Sequence, residues 1–331
     1  MNDNPTPGSP TTGTGSTGTV TTGSATTTTY RAAAIITFAA VALGSLVCAT
    51  DSSAACPNWP GCYVGQVLPG GGINPLIEFV HRVIAVSTGP LLLAAALLGL
   101  RLRHRTPGGR RIDPVVQVLP WIALAGALAA GIFGMMTIKW GLSKSQGAAD
   151  LGGSLIAMVA MTTAAVARAR TPRRTSLTVT GQFAWGAVAL LWLVHVTGVF
   201  AAGKGSLTRC VSCPVWQVVD IDGPVWLQAT RMVLAAVAIV MVAAAIVTGI
   251  RTEGIRWYAA VAAVLLVVEL SIGLVIRQGG TTYPLSSVYA VSMVGLLWTT
   301  TLIAARSTFV RMPTADVAAS PARDEQGARS L

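Results

Sequence analysis

Glu78, His81 and Arg82 fall within little more than one helical turn of each other, in the run Glu78-Phe79-Val80-His81-Arg82. On a helix, residues three and four apart share a face. A carboxyl and an imidazole so placed can exchange protons or hold a cofactor, and a guanidinium beside them can bind a carboxylate in bidentate fashion. The other two histidines are isolated. His104 sits in the arginine-rich stretch Arg101–Arg111, where it reads as solvated, and His195 lies in the apolar run Trp192–Thr197. There a neutral imidazole bonded to a neighbouring helix is the simplest reading, with cofactor ligation the alternative. Asp150, Arg231, Glu269 and Arg277 are the remaining ionisable residues in apolar surroundings.

The chain has five cysteines. Cys56 and Cys62 bracket Cys56-Pro57-Asn58-Trp59-Pro60-Gly61-Cys62, and Cys210 and Cys213 form a Cys-x-x-Cys pair; Cys48 stands alone in an apolar run. Two structural disulfides, Cys56–Cys62 and Cys210–Cys213, are one reading. A redox-active Cys210/Cys213 ring is the other, since closely spaced pairs are readily reduced. Four thiolates could also bind zinc, but no histidine or carboxylate cluster adjoins them.

These residues are positioned by an extremely apolar chain. Of 331 residues, 53% are hydrophobic and 11% charged, against about 45–50% and about 25% in soluble domains. A soluble globule is excluded. Eight windows are long and apolar enough to cross a bilayer core of ~30 Å: 31–50, 76–100, 115–138, 147–167, 181–202, 225–250, 257–276 and 284–305. The fold class is therefore all-α and integral to the membrane. The net charge of +11 comes from arginines in alternate loops, as the positive-inside rule requires of cytoplasmic ones; it reports orientation, not nucleic-acid binding. Both termini then face the cytoplasm and the cysteine loops face outward. Residues 1–30, rich in Thr, Gly and Ser, read as a disordered tail.

The chain also repeats itself. Gly44 precedes Cys56 by the interval that separates Gly198 from Cys210, Arg82 and Arg231 open corresponding spans, and one constant offset carries Gly134 to Gly273 and Asp150 to Tyr289. Two pseudo-symmetric four-helix bundles follow: 31–167 and 181–306, joined by a basic linker at 168–180 and followed by a polar tail at 307–331.

The cysteine loop at 56–62, followed by Glu-x-x-His-Arg opening the second of eight helices, resembles the haem A synthase family. The resemblance covers roughly residues 31–306. It implies a membrane oxidoreductase in which a ring methyl of haem O becomes the formyl group of haem A, with a haem b cofactor held by histidines. The family pattern has one histidine near the start of each even-numbered helix. This chain has His81, Asp150, Thr230 and Tyr289 there.

On that resemblance Glu78 and His81 are the candidate catalytic pair, with His81 ligating iron. Arg82, Asp150, Arg231 and Tyr289 are candidate cofactor contacts, Tyr289 as a phenolate ligand. Haem O synthase and cytochrome oxidase assembly proteins are the implied partners, and the plasma membrane the implied location. The alternatives are a non-catalytic haem-binding or oxidase-assembly paralogue, a thiol–disulfide redox protein using Cys210 and Cys213, and a small transporter.

Overall fold

Among the described residues, apolar runs punctuated by Gly, Pro and Arg fold into eight long helices, because inside a bilayer only a helix satisfies every backbone polar group within one segment. A computed structural model describes residues 18–59, 61–103, 114–141, 143–171, 173–201, 225–280 and 282–311. The helices are α1 (Gly18–Ala49), α2 (Ile73–Arg103), α3 (Pro114–Trp140), α4 (Lys144–Ala169), α5 (Val179–Ala201), α6 (Val225–Ile250), α7 (Arg256–Gly279) and α8 (Tyr283–Thr308). Each contains a stretch long and apolar enough to span a membrane.

The two halves have the same neighbour pattern. α1 packs on α2, α2 on α3, α3 on α4 and α4 on α1; α5 to α8 close a ring in the same order. The seam brings α8 against α1 and α4, and α4 against α5. Accordingly α4 and α8 are the most enclosed spans, 61% and 72% buried, against 17% for α3. Aromatic side chains tie the seam: Phe38 stacks on Trp298 at 4.2 Å, Trp298 Nε1 donates to Thr162 Oγ1 at 3.1 Å, and Trp192 Nε1 donates to the Gly152 carbonyl at 3.2 Å. Within the first half, α3 and α4 meet backbone to backbone. A Cβ on Gly126 would lie 2.6 Å from the Gly153 carbonyl, the close approach that small residues permit in membranes.

Three expectations about segment ends are corrected. Residues 18–30, read as part of a disordered tail, are the first turns of α1. Tyr30 is fully buried and its hydroxyl donates to the Val116 carbonyl of α3 at 2.8 Å, beside Gly99 of α2, where a Cβ would clash with that hydroxyl. Thr29 is accommodated in this helix because its hydroxyl bonds back to the Ala25 carbonyl. The linker at 168–180 is not wholly irregular. Its strand β1 (Arg173–Thr175) pairs antiparallel with β2 (Phe309–Arg311), Arg173 opposite Arg311, so residues assigned to the polar C-terminal tail instead finish the fold. Residues 202–224, including Cys210 and Cys213, and also His104 lie outside the described residues.

Candidate functional site

The first turns of α2 hold Glu78, His81 and Arg82, and the loop after α1 folds back onto them. Cys56 and Cys62 are disulfide-bonded and fully buried, and Tyr63 and Gln66 close a tight turn beyond them around Gly65, whose φ of 74° suits glycine. Arg82 holds this loop. Its Nη1 donates to the carbonyls of Asn58 at 2.6 Å and Gly61 at 3.0 Å. Its Nη2 donates to the Cys56 carbonyl at 2.7 Å and to Glu78 Oε1 at 2.5 Å. Glu78 Oε2 accepts the Cys56 backbone N–H at 2.7 Å. Both terminal nitrogens of Arg82 and both oxygens of Glu78 are thus committed to the loop and to each other.

His81 is not part of that cluster. It forms no hydrogen bond or ion pair with Glu78, and its ring is turned toward α1, where a Cβ on Gly44 would lie 3.1 Å from Cε1. The ring reaches the Ala40 carbonyl, while Nδ1 is buried without a hydrogen-bond partner. On α4, a capping box fixes the helix start: Ser143 Oγ accepts the Gln146 N–H and Gln146 Oε1 accepts the Ser143 N–H. That register carries Asp150 toward α3, its Oδ2 3.7 Å from where a Cβ on Gly134 would lie. Gly134 and Asp150, the two positions that the repeat offset carries to Gly273 and Tyr289, are therefore neighbours in space.

The corresponding region of the second half has a different content. Thr230 is exposed, with its hydroxyl bonded back to the Trp226 carbonyl. Arg231, by contrast, is buried, 3% exposed, and close enough to His195 for its charge to be felt at that ring. His195 is buried with Nδ1 against the Leu191 carbonyl at 2.6 Å, and Nε2 has no hydrogen-bond partner. Glu269, which has no evident partner in the sequence, receives two: Ser292 donates to Oε1 and Tyr289 hydrogen-bonds to the same carboxyl. Glu269 Oε2 has no partner, and Glu269 and Tyr289 line a cavity of about 50 Å³ walled otherwise by apolar residues such as Leu191, Val242 and Leu296. Ser292 escaped the sequence reading. Its only signal was the need of a lone intramembrane carboxyl for a donor.

Among the described residues, no group of three or more His, Cys, Asp or Glu side chains could hold a metal ion on its own. Cys48 is disulfide-bonded as well.

Three curated relatives bear on what this arrangement is. A heme A synthase of Exiguobacterium sibiricum is 26% identical over 199 residues, 58% of this chain and 64% of that protein. A heme A synthase of Geobacillus kaustophilus is 26% identical over 239 residues, 68% of this chain and 73% of its own. The chain is related to the haem A synthases. A protoheme IX farnesyltransferase of Haloarcula marismortui is 31% identical over 137 residues, 36% of this chain and 29% of that protein. The chain thus spans less than two thirds of the Exiguobacterium and Haloarcula relatives. No protein-family model matches it.

Haem, the group implied by a relationship to haem A synthases, fits the halves unequally. In the first, His81 offers a buried nitrogen without a hydrogen-bond partner, packed against Gly44 of α1, a donor of the right chemistry. In the second, the pair of positions expected to carry histidines holds a threonine exposed at the outer face of α6 and a tyrosine engaged by Glu269. The cavity has room for a few waters, not for a porphyrin. A bis-histidine haem does not fit there.

Proposed function

We propose that the protein is a membrane oxidoreductase of haem A formation, whose first bundle takes haem O and converts a ring methyl into the formyl group of haem A. The observation that carries this reading is His81: an imidazole with a buried, uncommitted Nδ1, held against Gly44 on the helix turn to which the disulfide-braced loop is tied. The change from methyl to formyl removes four electrons and adds one oxygen atom, so an external oxidant such as dioxygen is required, and bound iron porphyrin would supply the redox chemistry that couples the two. The chain's own residues bind and enclose. His81 is the candidate axial donor, and Asp150 projects into the same bundle from α4. Glu78 and Arg82, expected from the sequence as a catalytic carboxylate and a cofactor contact, serve here to clamp the cysteine loop over the site.

The arginine-rich ends face the cytoplasm and the cysteine loop faces outward in this reading, with the plasma membrane as the location. Haem O synthase is the natural supplier of substrate, and oxidase assembly proteins are the natural recipients of product. A second reading, a haem-binding or assembly paralogue without catalysis, is favoured by the engaged Tyr289 and outward Thr230 of the second half.

Co-expression with a source of haem O in a host that makes no haem A separates the two. Extracted haem is resolved by chromatography. Haem A from the wild type and none from His81→Ala supports the enzyme; bound haem unchanged in type supports the paralogue. Absence of bound haem overturns both.

A further inference from the structure

At the arginine-rich end of the seam two guanidiniums converge with no counter-ion among the described residues. Arg170 ends α4, and its Nη1 donates to the carbonyls of Arg306 and Phe309, each at 2.7 Å. Arg306, in the last turn of α8, lies over the ring of Tyr258 at 4.4 Å, and its Nε is buried without a hydrogen-bond partner. Burial, and then the neighbouring Arg306 charge, hold the Arg170 guanidinium below its usual range. Neither arginine is ion-paired among the described residues. On this face the one carboxylate among the described residues, Glu253, sits in the turn between α6 and α7 and reaches neither. Carbonyl bonds cap the helix ends, but they do not neutralise two like charges.

We propose that Arg170 and Arg306, with the Tyr258 ring as a wall, hold the phosphate of an anionic phospholipid at the junction of the two bundles. The depth argues for a lipid. Trp257, 74% exposed, and Tyr258 begin α7, and such aromatic residues mark the headgroup level of a bilayer. A phosphodiester there meets guanidinium donors left over from the capping bonds, and charge-assisted bonds to phosphate are strong. Because Arg170 belongs to the first half and Arg306 and Tyr258 to the second, the lipid would bind across the seam that β1 and β2 already bridge.

The full-length protein in detergent is titrated with phosphatidylglycerol, phosphatidylcholine or inorganic phosphate, reading thermal unfolding and lipid retained in native mass spectrometry. Phosphatidylglycerol should raise the unfolding temperature of the wild type and remain bound, with phosphatidylcholine and phosphate ineffective. Arg306→Gln removes no hydrogen bond donated by that side chain, so the fold survives it. It should weaken phosphatidylglycerol about fivefold, while Arg251→Gln, an exposed arginine of the same face, should not. Equal effects of the two lipids, an undiminished response in Arg306→Gln, or full stabilisation by phosphate alone would each overturn the proposal.

Discussion

Arg82 and Glu78, one turn apart on α2, form a single clamp: the guanidinium holds the carboxylate with one nitrogen, and together they take three carbonyls and one N–H of the loop that Cys56 and Cys62 close. Both side chains are nearly enclosed, 11% and 4% exposed. An ion pair so placed is worth little against an apolar substitute, yet removing one member strands the other.

Arg82→Gln should therefore cost about 3–5 kcal/mol, the range for an orphaned buried charge. Arg82→Lys should recover only part, because an ammonium cannot present a planar fork to several carbonyls at once. Limited proteolysis at the 56–72 loop, alongside thermal unfolding in detergent, checks this. Loop cleavage should rise before the helices melt. A loop as resistant in Arg82→Gln as in the wild type would show that the clamp does not hold it.

The disulfide acts on the same loop from the other side. A ring closed over a sequence separation of 6 restricts the unfolded chain modestly, about 2 kcal/mol by loop entropy. Cys56→Ser with Cys62→Ser should lower stability by about that amount. Reducing agent should have no further effect on the double variant through this bond. Peptide mapping under non-reducing conditions should recover Cys56 linked to Cys62.

Gly44 sets how close α1 comes to His81. An alanine there would place its Cβ 3.1 Å from the imidazole, so the ring must shift. The gain in helix propensity, up to about 1 kcal/mol, opposes an overpacking cost of about 1–3 kcal/mol. Gly44→Ala should thus be close to neutral in stability, and Gly44→Val clearly destabilising. If His81 ligates haem, both should reduce the haem retained on purification, by more than stability alone predicts. Unchanged haem content in a folded Gly44→Val protein would argue against ligation by His81.

The sequence made the spans plain because eight apolar runs leave few other folds, and the expected helix centres agree with those observed. The ends were harder. Tyr30 extends α1 through one hydroxyl bond to a carbonyl far away in the chain, and Phe309 continues beyond α8 by pairing with Thr175; neither contact has a local signature. At the site, helical spacing correctly put Glu78, His81 and Arg82 on neighbouring positions. It could not choose between the pairs Glu78–His81 and Glu78–Arg82, since both are one turn apart. The loop carbonyls decide that choice, and they are fixed by tertiary folding. The same applies to Glu269, whose donors Ser292 and Tyr289 come from another helix.

That last cluster supplies the sharpest test of the second bundle. If Tyr289 served as an iron ligand, Tyr289→Phe would alter the visible spectrum of any haem-loaded protein. If it serves Glu269, the substitution should leave the spectrum alone and couple to Glu269→Gln in stability. Interhelical hydrogen bonds in membranes average about 0.6 kcal/mol and reach about 1.7, so a double-mutant cycle should return a coupling of about 0.5–1.5 kcal/mol. Thr230→Ala is the control: its hydroxyl bonds only its own helix, and its loss should stay within about 0.5 kcal/mol. A zero coupling together with a shifted spectrum would return Tyr289 to the list of haem ligands, and would restore to the second half the cofactor site that its exposed Thr230 and small cavity argue against.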